Sequence, residues 1–138
     1  MAGVYVDTAY HIAVIDPLDS YRDAALSVGD VLQERRTPFI TSEAALIELL
    51  TFLSGRTPRI RRAAAAYVRA LYADPLVEVV PQSQTLFDAA LDLYERRPDK
   101  SYSMVDCIGM VICREREITD VLTADHDFEQ EDLTILLN

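Results

Sequence analysis

"PFITSEAALIELLTFLS", Pro38 to Ser54, is a strand and a helix written end to end. The run "PFIT" is short, β-rich and opened by a proline, which predicts a strand. Ser42 follows as a candidate N-cap, its hydroxyl suited to one of the amides that the first turn of a helix leaves free, and "EAALIELLTFLS" predicts the helix. The same order appears at the start of the chain, where "VYVD" is a second β-rich run and Asp7 is placed to cap a helix beginning near Thr8.

Working outward, "DSYRDAALSVGDVLQERR" carries helical apolar spacing through Tyr21, Ala24, Ala25, Val28, Val31 and Leu32, with Gly29 as a weak point in its middle. Gly55 and Pro58 break the chain before an Ala-rich helix from Pro58 to Tyr72. "LVEVV" predicts a third strand stopped by Pro81, Ser83 to Arg96 a helix closed by Pro98, and "SYSMVDCIGMVICRE" another helix. "ITDVLT" and "LTILL" complete the set as a fourth and fifth strand. Strands separated by helices require right-handed crossovers, so the expected fold is α/β: a three-layer α/β/α sandwich on a mainly parallel sheet of about five strands. No internal repeat, linker or low-complexity tract divides the chain, and residues 1–138 are expected to form a single domain.

Composition narrows the function. Half of the 138 residues are apolar, enough for the core of one domain. No stretch approaches the roughly 18 unbroken apolar residues of a membrane span, and the first residues lack the basic region and cleavage site of a signal peptide, so a cytoplasmic location is expected. Cys107 and Cys113 fall on nearly opposite faces of one helix, which excludes a disulfide or a shared metal between them and predicts small buried hydrophobes. His11 and His126 are far apart and lack thiolate partners, so a zinc site is not expected. Four glycines cannot build a P-loop or a dinucleotide fingerprint. The net charge of −10 argues against a general nucleic-acid-coating protein. From Leu49 to Ala73, however, there is no acid, while Arg56, Arg59, Arg61, Arg62 and Arg69 all fall there; the segment reads either as a solvated helix face or as a phosphate-binding patch.

The acids carry the remaining information. Asp106 stands alone among apolar residues from Met104 to Cys113, and Glu48 is the one charge between Ala44 and Ser54. Each acid has an ordinary explanation when taken singly: Ser103 and Asp106 form a capping box, Glu48 marks a solvent stripe, Asp7 caps a helix and Asp125 belongs to a turn. Ligands of open parallel sheets, however, bind outside the carboxyl ends of the strands, and all four acids can reach that rim. Four neighbouring carboxylates repel one another, and a hard divalent cation is the economical compensation. Two such ions stabilise both the attacking and the leaving oxygen of a phosphodiester displacement.

Four segments, in order and covering nearly the whole chain, resemble the PIN-domain family and, within it, the single-domain ribonuclease toxins of the VapC type. "VYVDTAYHIAVID" is similar to that family's opening strand and Asp-Thr, "ITSEAALIELLTFLS" to its second acidic segment, "YSMVDCIGMVICRERE" to its Ser-x-x-Asp helix and "ITDVLTADHDF" to its Thr-x-Asp-x-x-Phe. The resemblance implies an endoribonuclease dependent on Mg²⁺ or Mn²⁺, with Asp7, Glu48, Asp106 and Asp125 as the catalytic and metal-binding cluster. On that reading Asp7 and Asp106 are the main ligands, while Glu48 and Asp125 complete the site and orient the attacking water. Asp127 falls one step outside, and Thr8, Ser103 and Thr123 support the ligands. The resemblance further implies an RNA substrate, a homodimer and an antitoxin partner whose C-terminal segment fills the active groove. Phosphate contacts are expected from the Arg56 to Arg69 segment, with Arg96, Arg97 and Lys100 or a second subunit. Two alternatives stand beside it. One is a catalytically weak module of the same fold that binds RNA or a partner. The other is an aspartyl phosphotransfer domain, disfavoured because Thr8 follows Asp7, Ala9 stands two residues after Asp7 and Lys100 is the lone lysine.

Overall fold

The computed structural model describes residues 3–137. The chain runs β1 (Val4–Val6), α1 (Thr8–Ile15), α2 (Arg22–Glu34), β2 (Phe39–Ser42), α3 (Glu43–Leu53), α4 (Pro58–Ala73), β3 (Val77–Val80), α5 (Gln84–Arg96), α6 (Met104–Arg116), β4 (Asp120–Leu122), a 3-10 helix (His126–Glu131) and β5 (Thr134–Ile135). All strands pair in parallel, in the order β3-β2-β1-β4-β5. From β1 the chain steps outward to β2 and β3, then returns to the other side of β1 through β4 and β5. The crevice of this open sheet therefore lies between the carboxyl ends of β1 and β4.

Two apolar layers sandwich the sheet. On one face Tyr5, Ile40 and Val121 pack against α5 and α6, whose Leu93, Ile108 and Val111 are buried. On the other, Val4, Val6 and Leu122 pack with Tyr10, Ala13 and Ala25 of α1 and α2, while α4 joins α3 through Leu46, Leu49, Leu53 and Ala64. Helix α3 belongs to both layers: its Ala44 packs with Tyr5 and α6, and its leucines pack with α4.

Two glycines are required by tyrosines. A Cβ on Gly109 of α6 would stand 2.7 Å from Cε2 of Tyr5, and one on Gly29 of α2 would stand 2.3 Å from the Tyr10 hydroxyl. Gly29 therefore gives up helix propensity so that α2 can lie against α1. The Tyr5 hydroxyl, wholly buried, shares a 2.9 Å hydrogen bond with Ser42 Oγ, which also accepts the Ala45 N–H at 3.0 Å and so caps α3.

His11 is a buried stitch rather than a ligand. Thr41 Oγ1 donates to the Val6 carbonyl at 2.8 Å, so at 2.9 Å His11 Nε2 must donate to Thr41. His11 Nδ1 then accepts the Tyr67 hydroxyl at 2.6 Å. Burial alone pushes the imidazole down to about 3, which keeps this tautomer neutral. The chain of bonds ties α1 and α4 to β1 and β2, immediately before Asp7.

The cysteines are buried and free, as expected. The fifth strand is shorter than "LTILL", and among the described residues the 3-10 helix is an element that the sequence pattern had not announced.

Candidate active site

Asp7 follows β1 directly, and its N–H donates to the Leu122 carbonyl at 3.2 Å, which holds it against the end of β4. It occupies the N-cap position of α1, yet its side chain makes no capping bond. The carboxylate instead accepts the Thr123 hydroxyl at 2.9 Å. Thr123 Oγ1 in turn accepts the Asp125 N–H at 3.1 Å, so one buried hydroxyl sets both the Asp7 side chain and the Asp125 backbone.

Asp125 caps the 3-10 helix, its Oδ1 accepting the Asp127 N–H at 2.9 Å. This tight turn carries Asp127 back beside Asp125, and Phe128, wholly buried, nails it to the core. Asp127 thus joins the site rather than standing outside it, contrary to the sequence expectation. Carboxylate oxygens of Asp106, Asp125 and Asp127 lie within 4.8 Å of one another.

Asp106 enters from the first turn of α6. The capping box is present in full: Asp106 N–H donates to Ser103 Oγ at 3.0 Å, and Ser103 N–H donates to Asp106 Oδ2 at 2.9 Å. Cap and cluster coexist, because the box uses Oδ2 and still leaves the carboxylate beside Asp125. Glu48, half-buried in the second turn of α3, is not one of the three converging acids, but its charge reaches both Asp7 and Asp106.

Electrostatics marks this as a place where negative charge is strained. Asp7 is pushed up from 3.8 to about 7, first by burial and then by Asp106, with Glu48 adding to the rise; the Thr123 hydroxyl and the Thr8 amide only partly offset it. Asp106 is pushed up from 3.8 to about 6, mainly by burial, with Asp125 and Glu48 contributing against the two Ser103 bonds. Burial and the Asp125 charge also raise Asp127. Helix N-termini at Asp7 and Asp106 favour anions, yet desolvation wins at both. No salt bridge among the described residues involves any of these five acids. The Thr8 hydroxyl, buried beside Asp7, has no hydrogen-bond partner.

The basic residues divide. Arg97 is committed to Glu131 in a bidentate pair at 3.0 and 3.1 Å, shared with the Tyr102 hydroxyl at 2.9 Å, and so braces the approach to α6. Arg56 contacts Asp16 at 3.1 Å. Arg59, Arg62 and Arg69 are exposed on α4 without a salt bridge among the described residues. No helix among the described residues is long and apolar enough to cross a membrane.

Residues 4–132 match the PIN domain family model, and the chain belongs to that family. Its structure is similar to that of VapC20 from Mycobacterium tuberculosis, a toxin that cleaves the sarcin–ricin loop, with 25% identity, 95% of this chain and 96% of that one covered, and a TM-score of 0.81. FitAcB from Neisseria gonorrhoeae shares the fold at 14% identity, with 96% of each chain covered and a TM-score of 0.68. No curated protein matches the chain by sequence. The protein is thus a PIN-domain protein, from a family of nucleases, with a structure similar to that of a VapC toxin.

Proposed function

We propose that this chain, read as one domain throughout, is a divalent-metal-dependent endoribonuclease and the toxin of a toxin–antitoxin pair. The observation that carries the reading is the crowding of carboxylates between the ends of β1 and β4 without a cationic side chain bonded to them. Asp106, Asp125 and Asp127 converge within 4.8 Å, beside a buried Asp7 and an unpartnered Thr8 hydroxyl. An all-oxygen donor set fits a hard ion, Mg²⁺ or Mn²⁺. Asp7, Asp106, Asp125 and Asp127 are the residues to hold it, with Thr8, Ser103 and Thr123 setting their positions. Such an ion, when bound, supplies Lewis-acid charge to a phosphodiester and acidity to the attacking water.

The chain's own groups do the rest. Thr123 keeps the Asp7 carboxylate turned into the crevice and away from capping. Ser103 holds the first turn of α6 and, through its own N–H, one oxygen of Asp106. Glu48, half-buried in the second turn of α3 with its charge reaching Asp7 and Asp106, is the group to orient the attacking water. RNA is the substrate class favoured by the family, by the likeness to VapC20, whose target is an RNA loop, and by the acid-free arginine segment leading away from Glu48. An antitoxin partner follows from the same relatives, and action in the cytoplasm follows from an RNA target. The exposed stripe Phe87, Leu91 and Tyr94 on α5, with Ile47 and Leu50 on α3, favours a homodimer.

The test is cleavage of an RNA panel that includes a sarcin–ricin-type stem-loop, with Mg²⁺, with Mn²⁺ and with chelator, beside Asp106→Asn. Metal-dependent cutting that disappears in the folded variant is expected. Cutting that persists in chelator, or in Asp106→Asn, overturns the assignment.

A further inference from the structure

Helix α3 does more than deliver Glu48. Successive positions four apart on a helix lie on one face and about 6 Å apart along the axis. Ala44, Glu48 and Phe52 form such a row. Ala44 is buried against the α6 layer, Glu48 is half-buried at the acid cluster, and Phe52, one turn farther out, is 52% exposed. Phe52 lies on a different side of α3 from Ile47 and Leu50, which point to the flank favoured for a second copy.

The ring is furnished. The Arg56 guanidinium, four residues on in the loop before α4, sits 5.4 Å from the Phe52 centroid. It is held there by one nitrogen, Nη1, donating to Asp16 Oδ2 at 3.1 Å, while Asp16 Oδ1 accepts the Leu18 N–H at 3.0 Å. Asp16 is itself only 6% exposed, so its end of the anchor is fixed. Nε and Nη2 of Arg56 make no hydrogen bond among the described residues and remain available to a phosphate. Beyond it Arg59 and Arg62 extend the positive charge, in a chain otherwise strongly acidic.

We propose that Phe52 and Arg56 form a nucleobase-stacking platform for single-stranded RNA, holding the nucleotide next to the one cut at the acid cluster. This rests on the ribonuclease reading above and assigns it a substrate-binding residue. One α3 turn from Glu48 matches the step between successive nucleotides of an extended strand. An aromatic ring stacks any base on its π face, and a neighbouring arginine adds cation–π attraction and a phosphate contact. A paired base has its faces covered by its neighbours, so the platform selects unpaired nucleotides at the cut.

The experiment uses single-stranded RNA oligonucleotides carrying 2-aminopurine at successive positions, titrated in chelator so that nothing is cut. With wild type, fluorescence is expected to be quenched at one position. Phe52→Ala is expected to weaken binding roughly 5- to 150-fold, the range for loss of one stacked base, and to abolish the quench. Phe52→Trp is expected to restore both. In the cleavage assay the loss in Phe52→Ala falls on KM more than on kcat, and melting falls by only a few degrees because the ring is half exposed. RNA affinity in Phe52→Ala equal to wild type, with metal-dependent cutting intact, overturns the platform while the nuclease stands, and leaves the ring to a protein partner. Wild type that neither binds nor cuts any RNA overturns the nuclease reading and the platform together.

Discussion

Replacing Asp7 by Asn is expected to make the metal-free protein more stable, and to do so only above acidic pH. The carboxyl is held from 3.8 up to about 7 in the folded chain, so between those values the unfolded chain has lost a proton that the folded chain keeps. The folded state then binds more protons, and wild-type stability falls as pH rises through this window and levels off above about pH 7. At ~1.36 kcal/mol per pH unit, the full effect is about 4 kcal/mol at pH 8. Asn removes the charge without removing the local bond, since its Oδ1 accepts the Thr123 hydroxyl as the carboxylate does at 2.9 Å. It also relieves Asp106 of a neighbouring charge. A gain of about 2–4 kcal/mol at pH 8 raises Tm by roughly 10 °C for a domain of this size. The assay is thermal unfolding by circular dichroism in chelator, from pH 4 to pH 8, for both proteins. Expected is a difference near zero at pH 4 that widens to pH 7 and then stays flat. Adding Mn²⁺ is expected to lift wild type by about 2.7 kcal/mol at a hundredfold excess over Kd, and Asp7→Asn much less. A difference independent of pH, or a variant that melts lower than wild type at pH 8 in chelator, refutes the claim that Asp7 is a strained, desolvated anion.

Two other substitutions separate architecture from chemistry. Gly109→Ala drives a Cβ to 2.7 Å from the buried Tyr5 ring, and overpacking of about 1–3 kcal/mol outweighs the ~1 kcal/mol gain in helix propensity; denaturant unfolding is expected to show a net loss, and RNA cutting should fall with the displaced α3 cap. Ser103→Ala removes the hydroxyl that caps α6 while the residue 103 N–H still donates to Asp106, so a loss of about 1 kcal/mol is expected, with cleavage reduced but not abolished, in contrast to Asp106→Asn.

The layout of strands and helices was legible because its signals are local. Ser42 in "PFITSEAALIELLTFLS" announces the cap of α3, Ser103 that of α6, and Pro58 the start of α4, and each is found in place. The parallel sheet followed from alternation alone, and its crevice collects the acids that stood at the ends of the predicted strands. The departures came where side-chain hydrogen bonds, rather than apolar periodicity, set a residue's place. Asp7 sits at an N-cap and does not cap, since Thr123, 116 residues on, takes its carboxylate. Asp127 joins the cluster because the Asp125 side chain bends the backbone into a 3-10 turn that buries Phe128. The available signal was Asp125 and Phe128 bracketing Asp127: a capping acid followed at three by a large apolar residue implies a closed turn, and a closed turn folds the residue between them back toward the cap. Arg97, expected to add a phosphate contact, is paired with Glu131.

These departures share a cause. In an acidic chain whose crevice already excludes compensating side chains, a buried carboxylate finds its partners among hydroxyls and amides: Thr123 for Asp7, Ser103 for Asp106, the 3-10 amide for Asp125. Such neutral partners orient an anion without cancelling its charge, which is why Asp7 and Asp106 remain raised despite them. A salt bridge in the same place would have stabilised the fold and closed the site to a cation. Arg56 is tethered to Asp16 and Arg97 to Glu131, both outside the cluster. Lys100 lends its charge to Asp127, but no salt bridge among the described residues neutralises these acids; under the metal-dependent reading proposed above, the repulsion left over is what a divalent ion relieves.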